Sequence, residues 1–474
     1  MSSVQENDQP DYDHARKKHP VFAARTNYIP LLPRLLTHTI CLRWWQLRRR
    51  RWWGWLILAA CGCQPAATVF EVASSSMAPT LLGPSRLANC PHCQNSFPVA
   101  ADTYRASLPT RCSQCGGTCQ VGDEIIPGQR VAIAPARAQQ TWHHLDLIVF
   151  RDSTSGAPQV KRVWGLPHES ITLQNGEIYI ANKLGSTPRL FQKTLQQLMQ
   201  ICVLVSNYPD HKISGWRISR QDHPADDPVE DQNLFSRTGT PLALHADEAL
   251  DWTFHRPAPV YTAEVAAEQW LQQGPIIDDY HVNQGISCTL HEVGDYLLSI
   301  DLQSALSGEM TVHCRQGGSV IPIKFHSPDS KTNPPTLTES LSRHAGVANE
   351  LVFLASRQIK IAWCDQRLLL ETDLESRAIA RSNLLLNDGP WPRDDKLTQS
   401  LTAAAPILRI EANCELRLKQ ITIARDLYFD DWRGENTGTE GYFVLGDNLP
   451  VSIDSRNKLG RIAPQQIIGS VESK

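Results

Sequence analysis

The chain has 474 residues, of which 41% are hydrophobic and 20% charged, and its formal net charge is −3. This length predicts two or three domains, and the composition allows a packed core and excludes a chain that is disordered throughout. The near-balanced charge argues against binding to nucleic acid, so no such partner is expected. With 27 glycines and 31 prolines, the chain favours short strands and turns over helical bundles.

The N-terminal region carries a topology signal. Residues 1–51 are polar and end in four successive arginines, and residues 52–70 contain no charged side chain. As a helix, the uncharged stretch would be about 28 Å long, close to the hydrocarbon thickness of a bilayer. Because arginines stay on the cytoplasmic side, we expect a basic cytoplasmic segment over 1–51, a transmembrane helix over 52–72, and the rest of the chain outside.

A second interpretation of this region is a lipoprotein processing site. Residues 58–61, Leu-Ala-Ala-Cys, would leave Cys61 lipidated after cleavage. A cleaved signal rarely begins about fifty residues into a chain, which favours the retained span. Both interpretations hold the rest of the protein at the outer side of a membrane.

Three serines at residues 74–76 follow the apolar segment directly. Met77 is an apolar residue that can enter lipid or a core, and Pro79 restricts the backbone just after the serines. Three serines in a row are also typical of a solvated linker. Ser76 is therefore a candidate nucleophile whose assignment depends on what else the chain supplies.

Lys161 is a candidate general base. Residues 146–150 and 160–164 predict an antiparallel pair of strands. Alternation places Lys161 on the face of the apolar Val163 and opposite Arg162, so Lys161 is expected to be buried. Burial lowers the pKa of a lysine, and a neutral amine can take the proton of a serine hydroxyl. The alternative is an exposed lysine on an edge strand.

A third motif lies near the C-terminus, where an apolar strand at 442–445 precedes Gly446-Asp447-Asn448. This pattern predicts a tight turn in which Asn or Asp side chains bond the backbone. Ser452, Asp454 and Arg456 follow within the next residues. The alternative is an ordinary loop with a surface ion pair.

Together the three motifs resemble type I signal peptidase, the bacterial leader peptidase, a serine–lysine protease. The matching stretches are residues 76–81, 161–167 and 446–456, which occur in the family's order after one apolar segment. The resemblance implies that Ser76 is the nucleophile and Lys161 the general base. It also implies that Ser74, with the Ser76 N–H, stabilises the oxyanion.

The resemblance assigns supporting roles to the remaining motif residues. It implies that Ser452 orients the Lys161 amine, and that Asn448 belongs to the polar frame of the site. Two ion pairs are expected to brace that frame, Arg162 with Asp447 and Asp454 with Arg456. One departure affects the turn after Pro167, because His168-Glu169 stands where the family usually has Gly-Asp.

Two C-x2-C pairs, separated by eighteen residues, predict a zinc-ribbon-like insertion at residues 88–119. The predicted ligands are Cys90, Cys93, Cys112 and Cys115. Zinc would be structural, since no cofactor is expected for catalysis. Two disulfides are the alternative, because cysteines outside the membrane are often oxidised. Cys119 is an additional cysteine that could replace a ligand or stay free.

A large insertion is predicted over residues 184–439. A helix is expected at 190–205 and a second one at 263–273, and short strands with turns from residue 294 onward predict a β-sandwich. The predicted fold is therefore mostly β. A single N-terminal transmembrane helix precedes a signal-peptidase-like catalytic domain formed by residues 73–183 and 440–474, which carries both insertions. The other cysteines of the insertion could form disulfides, with pairing that sequence cannot assign.

The predicted function is removal of signal peptides from exported precursors by a Ser76–Lys161 dyad through an acyl-enzyme. The resemblance implies single-pass anchoring in the cytoplasmic membrane with the catalytic domain on its outer, periplasmic side. Implied partners are precursors with Ala-x-Ala cleavage sites, the lipid bilayer and the secretion machinery. The alternative is a catalytically inactive, peptidase-like scaffold whose β-sandwich binds a partner or a carbohydrate.

Overall fold

The computed structural model describes residues 68–91, 94–112, 117–137, 139–182, 186–208, 216–220, 242–252, 255–257, 271–273, 276–284, 290–316, 319–328, 351–380, 407–433 and 440–471. Within these ranges no helix has the length and apolar character needed to cross a bilayer. The predicted cytoplasmic segment, Cys61 and most of the predicted transmembrane helix lie outside them.

The end of the predicted transmembrane helix is a strand. Strand β1 (Thr68–Glu71) pairs with β5 (Arg130–Pro135), so the prediction of a helix up to residue 72 is wrong at these positions. Thr68, Val69 and Phe70 are β-branched or aromatic residues, which favour a strand when a partner strand is present. Residues 52–67 remain for the predicted span.

A six-stranded antiparallel sheet carries two of the three motifs. Its order is β1-β5-β27-β6-β7-β26. The four strands not yet given are β6 (Leu147–Arg151), β7 (Pro158–Gly165), β26 (Phe443–Leu445) and β27 (Ile467–Val471). Strand β7 thus lies between its predicted hairpin partner β6 and β26, the strand that leads into the third motif.

Both faces of β7 are covered by apolar side chains. Val163 packs with Ile148 and Val444 in one buried cluster, whereas Trp164 packs with Phe443 in another. Residues 161–165 are all buried. Since β7 has a neighbour on each side and a core on each face, the alternative of an exposed edge-strand lysine at 161 is excluded.

A smaller antiparallel sheet extends the second cluster, in the order β10-β9-β8. Its strands are β8 (Ser170–Gln174), β9 (Glu177–Ala181) and β10 (Arg189–Leu190). Helix α1 (Leu195–Ile201) follows, beginning at a capping box formed by Thr194 and Gln197. The helix is shorter than the predicted 190–205, because residues 203–208 form a strand that pairs with residues 421–425.

The cysteine-rich lobe, residues 85–121, is a three-stranded sheet in the order β3-β2-β4. Its strands are β2 (Ser85–Asn89), β3 (Ser96–Ala100) and β4 (Gln120–Val121). Cys90, Cys112 and Cys119 are buried in its small core with Phe97 and Val99. The cysteines thus occupy the place of core residues in a lobe too small to bury many others.

The large insertion contains two sheets that enclose one hydrophobic core, as the two layers of a β-sandwich do. In the first sheet the order is β11-β25-β17-β21-β22-β23, with β13 also on β25, and in the second it is β12-β14-β24-β18-β19-β20. All pairs are antiparallel except β19 with β20. The first sheet comprises β11 (Val203–Tyr208), β13 (Leu242–Leu244), β17 (Tyr296–Leu302), β21 (Gln358–Cys364), β22 (Arg367–Thr372), β23 (Ser376–Ala380) and β25 (Leu416–Arg425). The second comprises β12 (Trp216–Arg220), β14 (Glu248–Trp252), β18 (Glu309–Gln316), β19 (Ser319–His326), β20 (Leu351–Leu354) and β24 (Leu408–Ala412).

The short strands predicted from residue 294 onward are confirmed in the described ranges, as β17 to β25. The second predicted helix is wrong where the structure describes it, since β16 (Leu271–Gln273) is a strand paired with β15 (His255–Pro257). The rest of that predicted helix lies outside the described residues. Cys202, Cys314, Cys364 and Cys414 are free thiols, and Cys288 is outside the described ranges.

Candidate active site

The serine segment forms a short 3₁₀ turn at Ser75–Met77. Met77 anchors it, because its fully buried side chain packs with Val72 and Leu81. Ser76 is half-buried, and its Oγ accepts a 3.2 Å hydrogen bond from Ser74 Oγ. The turn therefore holds Met77 in the core and leaves the Ser76 hydroxyl accessible beside that of Ser74.

Lys161 is buried in β7, with only 3% of its surface exposed. Its Nζ donates a 3.0 Å hydrogen bond to Ser452 Oγ. Burial lowers the pKa of Lys161 to about 8, although the nearby carboxylates of Asp454 and Asp447 act in the opposite direction. A substantial fraction of the amine is thus neutral at mildly alkaline pH, as a general base requires.

Gly446 brings the serine turn and the lysine's partner together. A Cβ added at Gly446 would lie 2.2 Å from Ser452 Oγ and 2.4 Å from the Ser76 carbonyl oxygen, so only glycine fits between them. Asn448 N–H also donates to that carbonyl at 3.1 Å. Of the hydrogen bonds in the described part of the chain, none joins Ser76 Oγ directly to Lys161 Nζ.

Arg162 and Asp447 form a buried, bidentate ion pair. Arg162 Nε and Nη2 donate to the two carboxylate oxygens of Asp447 at 2.8 and 2.5 Å. Arg162 Nη1 donates to the Leu145 carbonyl at 2.9 Å. The pairing expected from the family resemblance is therefore present, and it joins β7 to the loop after β26.

Asp454 and Arg456 form the second expected pair, with Arg456 Nε and Nη2 donating at 2.9 and 3.0 Å. Arg456 also donates to the Leu449 carbonyl at 2.9 Å. Asp454 in turn accepts from the Gly446 N–H at 3.2 Å. The two ends of the 446–456 loop are thus tied to each other, which fixes Ser452 between them.

A turn forms after Pro167 although His168 and Glu169 depart from the family's usual Gly-Asp. His168 has φ +70°, a conformation that glycine adopts more readily, and its side chain is exposed. Glu169 Oε2 accepts from the Leu166 N–H at 2.7 Å and contacts His144 Nε2 at 2.8 Å. Burial would raise the pKa of Glu169, but these hydrogen bonds outweigh it and lower the pKa. Sequence reasoning missed His144 as a partner of this turn.

Of the predicted zinc ligands, Cys90 and Cys112 come together with Cys119, their sulfur atoms all within 4.8 Å of one another. Cys93 and Cys115 lie outside the described residues. Thiolates bound to one zinc ion at about 2.3 Å are about 3.8 Å apart, so this triad is compatible with three of four tetrahedral ligands. Cys119 is the member that spacing alone did not select.

A second buried cluster of titratable groups centres on Lys193, just before helix α1. Lys193 forms ion pairs with Asp365 and with Asp426, the latter at 3.0 Å. Burial would lower the pKa of Lys193, but the surrounding carboxylates raise it above its usual range. Glu177 and Asp295 lie in the same cluster. A charged lysine among these carboxylates explains how they tolerate burial.

Residues 50–236 match the model of the family described as signal peptidase, peptidase S26. The match includes Ser76 and Lys161 and ends before the 446–456 loop. The predicted family resemblance is thus confirmed, and the chain carries a signal peptidase domain of family S26. This family implies serine peptidase chemistry on precursor proteins. No curated protein matches the chain.

Proposed function

We propose that this chain is an active signal peptidase that cleaves exported precursors by a Ser76–Lys161 dyad. The observation that carries the proposal is the close packing around Gly446. The Ser76 carbonyl oxygen and the Ser452 hydroxyl both lie against this glycine, and the same hydroxyl accepts the hydrogen bond from Lys161. Three segments that are far apart in the sequence thereby supply a hydroxyl, a buried amine and a polar frame.

In the proposed reaction, neutral Lys161 takes the proton of Ser76 Oγ as that oxygen attacks the scissile carbonyl carbon. Ser74 Oγ and the Ser76 N–H stabilise the oxyanion. Collapse of the tetrahedral intermediate breaks the C–N bond, and protonated Lys161 returns the proton to the leaving amine. A water molecule, deprotonated by Lys161, then hydrolyses the ester on Ser76.

The supporting residues fix the orientation of the Lys161 amine and hold the 446–456 loop in place. Ser452 accepts from Lys161 and sets the direction of its amine. Asn448, and the ion pairs of Asp447 and Asp454, hold the loop on which Ser452 stands. Such a fixed frame matters because displacing a reacting group by about 1 Å can cost about 100-fold in rate.

The proposed topology is a single span in the cytoplasmic membrane with the catalytic domain on its outer side. Since β1 begins at Thr68, the span comprises residues 52–67, which would be about 24 Å long as a helix. Flanking arginines can reach the headgroups from a span of this length. The proposed partners are precursors with small residues before the cut, the bilayer and the secretion machinery.

We propose a structural zinc ion in the cysteine-rich lobe, bound by Cys90 and Cys112. Cys119 is the third ligand, and Cys93 or Cys115 supplies the fourth. The cluster is buried in a lobe with few other core residues, so a bound metal would add stability that packing alone supplies poorly. No step of the peptidase reaction involves this metal.

The test is cleavage of an Ala-x-Ala precursor by the full chain in detergent. Ser76→Ala and Lys161→Ala are each expected to lower the rate by at least about 10³-fold. Ser304→Ala and Lys458→Ala, at exposed positions, are the matched controls and should cleave as the unmodified protein does. Inertness of the unmodified chain on several such precursors would instead favour the peptidase-like scaffold.

A further inference from the structure

The backbone of the serine turn is held from one side by the cysteine-rich lobe. Ser75 N–H and Ser75 Oγ both donate to Asp102 Oδ2, at 3.0 and 2.9 Å. Asp102 lies just after β3 of that lobe. Because Ser75 is buried, losing this carboxylate would leave its two donors without an acceptor, which disfavours the present geometry of the turn.

The other side of the turn is held by the large insertion. Asn448 Nδ2 donates to the Ser75 carbonyl at 2.9 Å. The amide groups of Asn448 and Asn283 bond each other reciprocally, at 2.8 and 2.6 Å. Asn283 belongs to the segment 276–284, which lies between β16 and β17 of the large insertion. The Asn448 amide therefore has its orientation fixed by a residue of the insertion.

The two insertions also bond to each other at this place. Ala100 N–H donates to the Val282 carbonyl at 2.9 Å, and Arg111 N–H donates to Gln284 Oε1 at 3.2 Å. These bonds link the residues on either side of Asn283 to the lobe that carries Asp102. The lobe and the segment 276–284 thus form a continuous bracket around Ser75, the residue directly before the proposed nucleophile.

We propose that Asp102 and Asn283 are positioning residues for Ser76, one supplied by each insertion. This inference rests on the proposed function, since it concerns the same nucleophile. Neither side chain contacts the Ser76 hydroxyl, so both act through the backbone of Ser75. Their removal is expected to slow the chemical step while leaving the binding of precursor nearly unchanged, because both residues act on the backbone that places the Ser76 hydroxyl.

The experiment compares Asp102→Ala and Asn283→Ala in the full chain. Each is expected to lower kcat about 10- to 100-fold with KM changed less than about threefold. Asp102→Asn keeps an acceptor oxygen and is expected to retain most of the rate. Ser107→Ala and Gln303→Ala, at exposed sites in the same two insertions, are the controls. Equal loss in Asp102→Asn and Asp102→Ala would assign the effect to charge and overturn the positioning role.

A second measurement does not depend on turnover. Amide hydrogen exchange of a peptide covering residues 74–81 is expected to quicken in both alanine variants and not in the controls. If the unmodified chain cleaves nothing, the proposed function fails, and this exchange still decides whether the bracket holds the turn. Unchanged exchange, or kcat within twofold of the unmodified protein, would overturn the inference.

Discussion

Lys161 Nζ donates to Ser452 Oγ across a separation of 291 residues in the sequence. The lysine stands on a central strand with both faces covered, and the serine stands on a loop that two ion pairs fix. The hydrogen bond therefore fixes the orientation of the buried amine, because both the strand and the loop are held in place. A fixed orientation suits the proposed general base, which must point at one hydroxyl.

The rate of precursor cleavage should rise with pH through the pKa of Lys161, which burial lowers to about 8. Above that pH the amine is neutral and the rate should level off. The measurement is kcat/KM of the unmodified chain from about pH 6 to about pH 10, with a buffer-matched stability check. A profile that is flat across this range would contradict the role of Lys161 as general base.

Burial of Lys161 should also lower the stability of the fold. The pKa of Lys161 is about 8 in the folded state, below its value of 10.5 in the unfolded state. Between these two pH values the unfolded chain binds more protons than the folded chain, so stability rises with pH over this range. Lys161→Met removes the charge and should raise the free energy of unfolding by about 1 to 3 kcal/mol at neutral pH, with activity lost. Denaturant unfolding tests this, with the exposed Lys458→Met as control; equal shifts in both variants would refute it.

Loss of the Asp447 carboxylate should be strongly destabilising. Asp447→Asn leaves the buried Arg162 guanidinium without its counter-charge, at an expected cost of about 3 kcal/mol or more. Glu415→Gln breaks the exposed pair of Glu415 with Arg417 and should cost about 0.5 kcal/mol or less. Urea unfolding of both variants measures the difference. Similar small shifts would mean that the buried pair contributes little.

His168→Gly should stabilise the chain. His168 has φ +70°, where an L side chain is strained by about 1 kcal/mol, and part of that gain is offset by the greater freedom of glycine in the unfolded state. We expect a net increase of up to about 1 kcal/mol in the free energy of unfolding, with unchanged cleavage. His143→Gly, at an exposed position with negative φ, should be destabilising, and the opposite order would contradict the argument.

Cys119→Ser should weaken metal binding by the cysteine-rich lobe. If Cys119 is a ligand, its replacement lowers the zinc bound to the purified chain and the protection of the lobe against proteolysis. Cys414→Ser, in the large insertion, is the matched control and should keep full zinc content. If Cys119→Ser leaves the zinc content unchanged, Cys119 is not a ligand, and the third ligand would be Cys115 or Cys93.

The strands around Lys161 and most strands after residue 294 could be predicted because each has its own alternation or its own turn. Lys161 and Val163 alternate with Arg162 in a pattern typical of a strand, although the burial of both faces comes from sheet neighbours that the local sequence does not reveal. Hydrophobicity alone predicts a helix at Thr68–Glu71, whereas the pairing of this segment with β5 makes it a strand.

The bracket around Ser75 could not be predicted from the sequence. Asp102 and Asn283 belong to no sequence motif, and their proposed role depends on where two loops meet. Cys119 presents the same difficulty, since the regular spacing pointed to Cys115 and only the packing of the lobe places Cys119 beside Cys90 and Cys112. Spacing identifies residues that act within one segment and fails for contacts between segments.

The position of β27 in the six-stranded sheet has a consequence for biosynthesis. This strand, Ile467–Val471, lies between β5 and β6, in the middle of a sheet whose other strands come earlier in the chain. During synthesis, the edges of β5 and β6 that face β27 stay unpaired until residue 471 is available, and Lys161 lacks its hydrogen-bond acceptor until Ser452 is available. The frame that holds Ser76 and Lys161 therefore assembles only after these C-terminal residues have been synthesised, so the proposed dyad would gain its activity late in the folding of the chain.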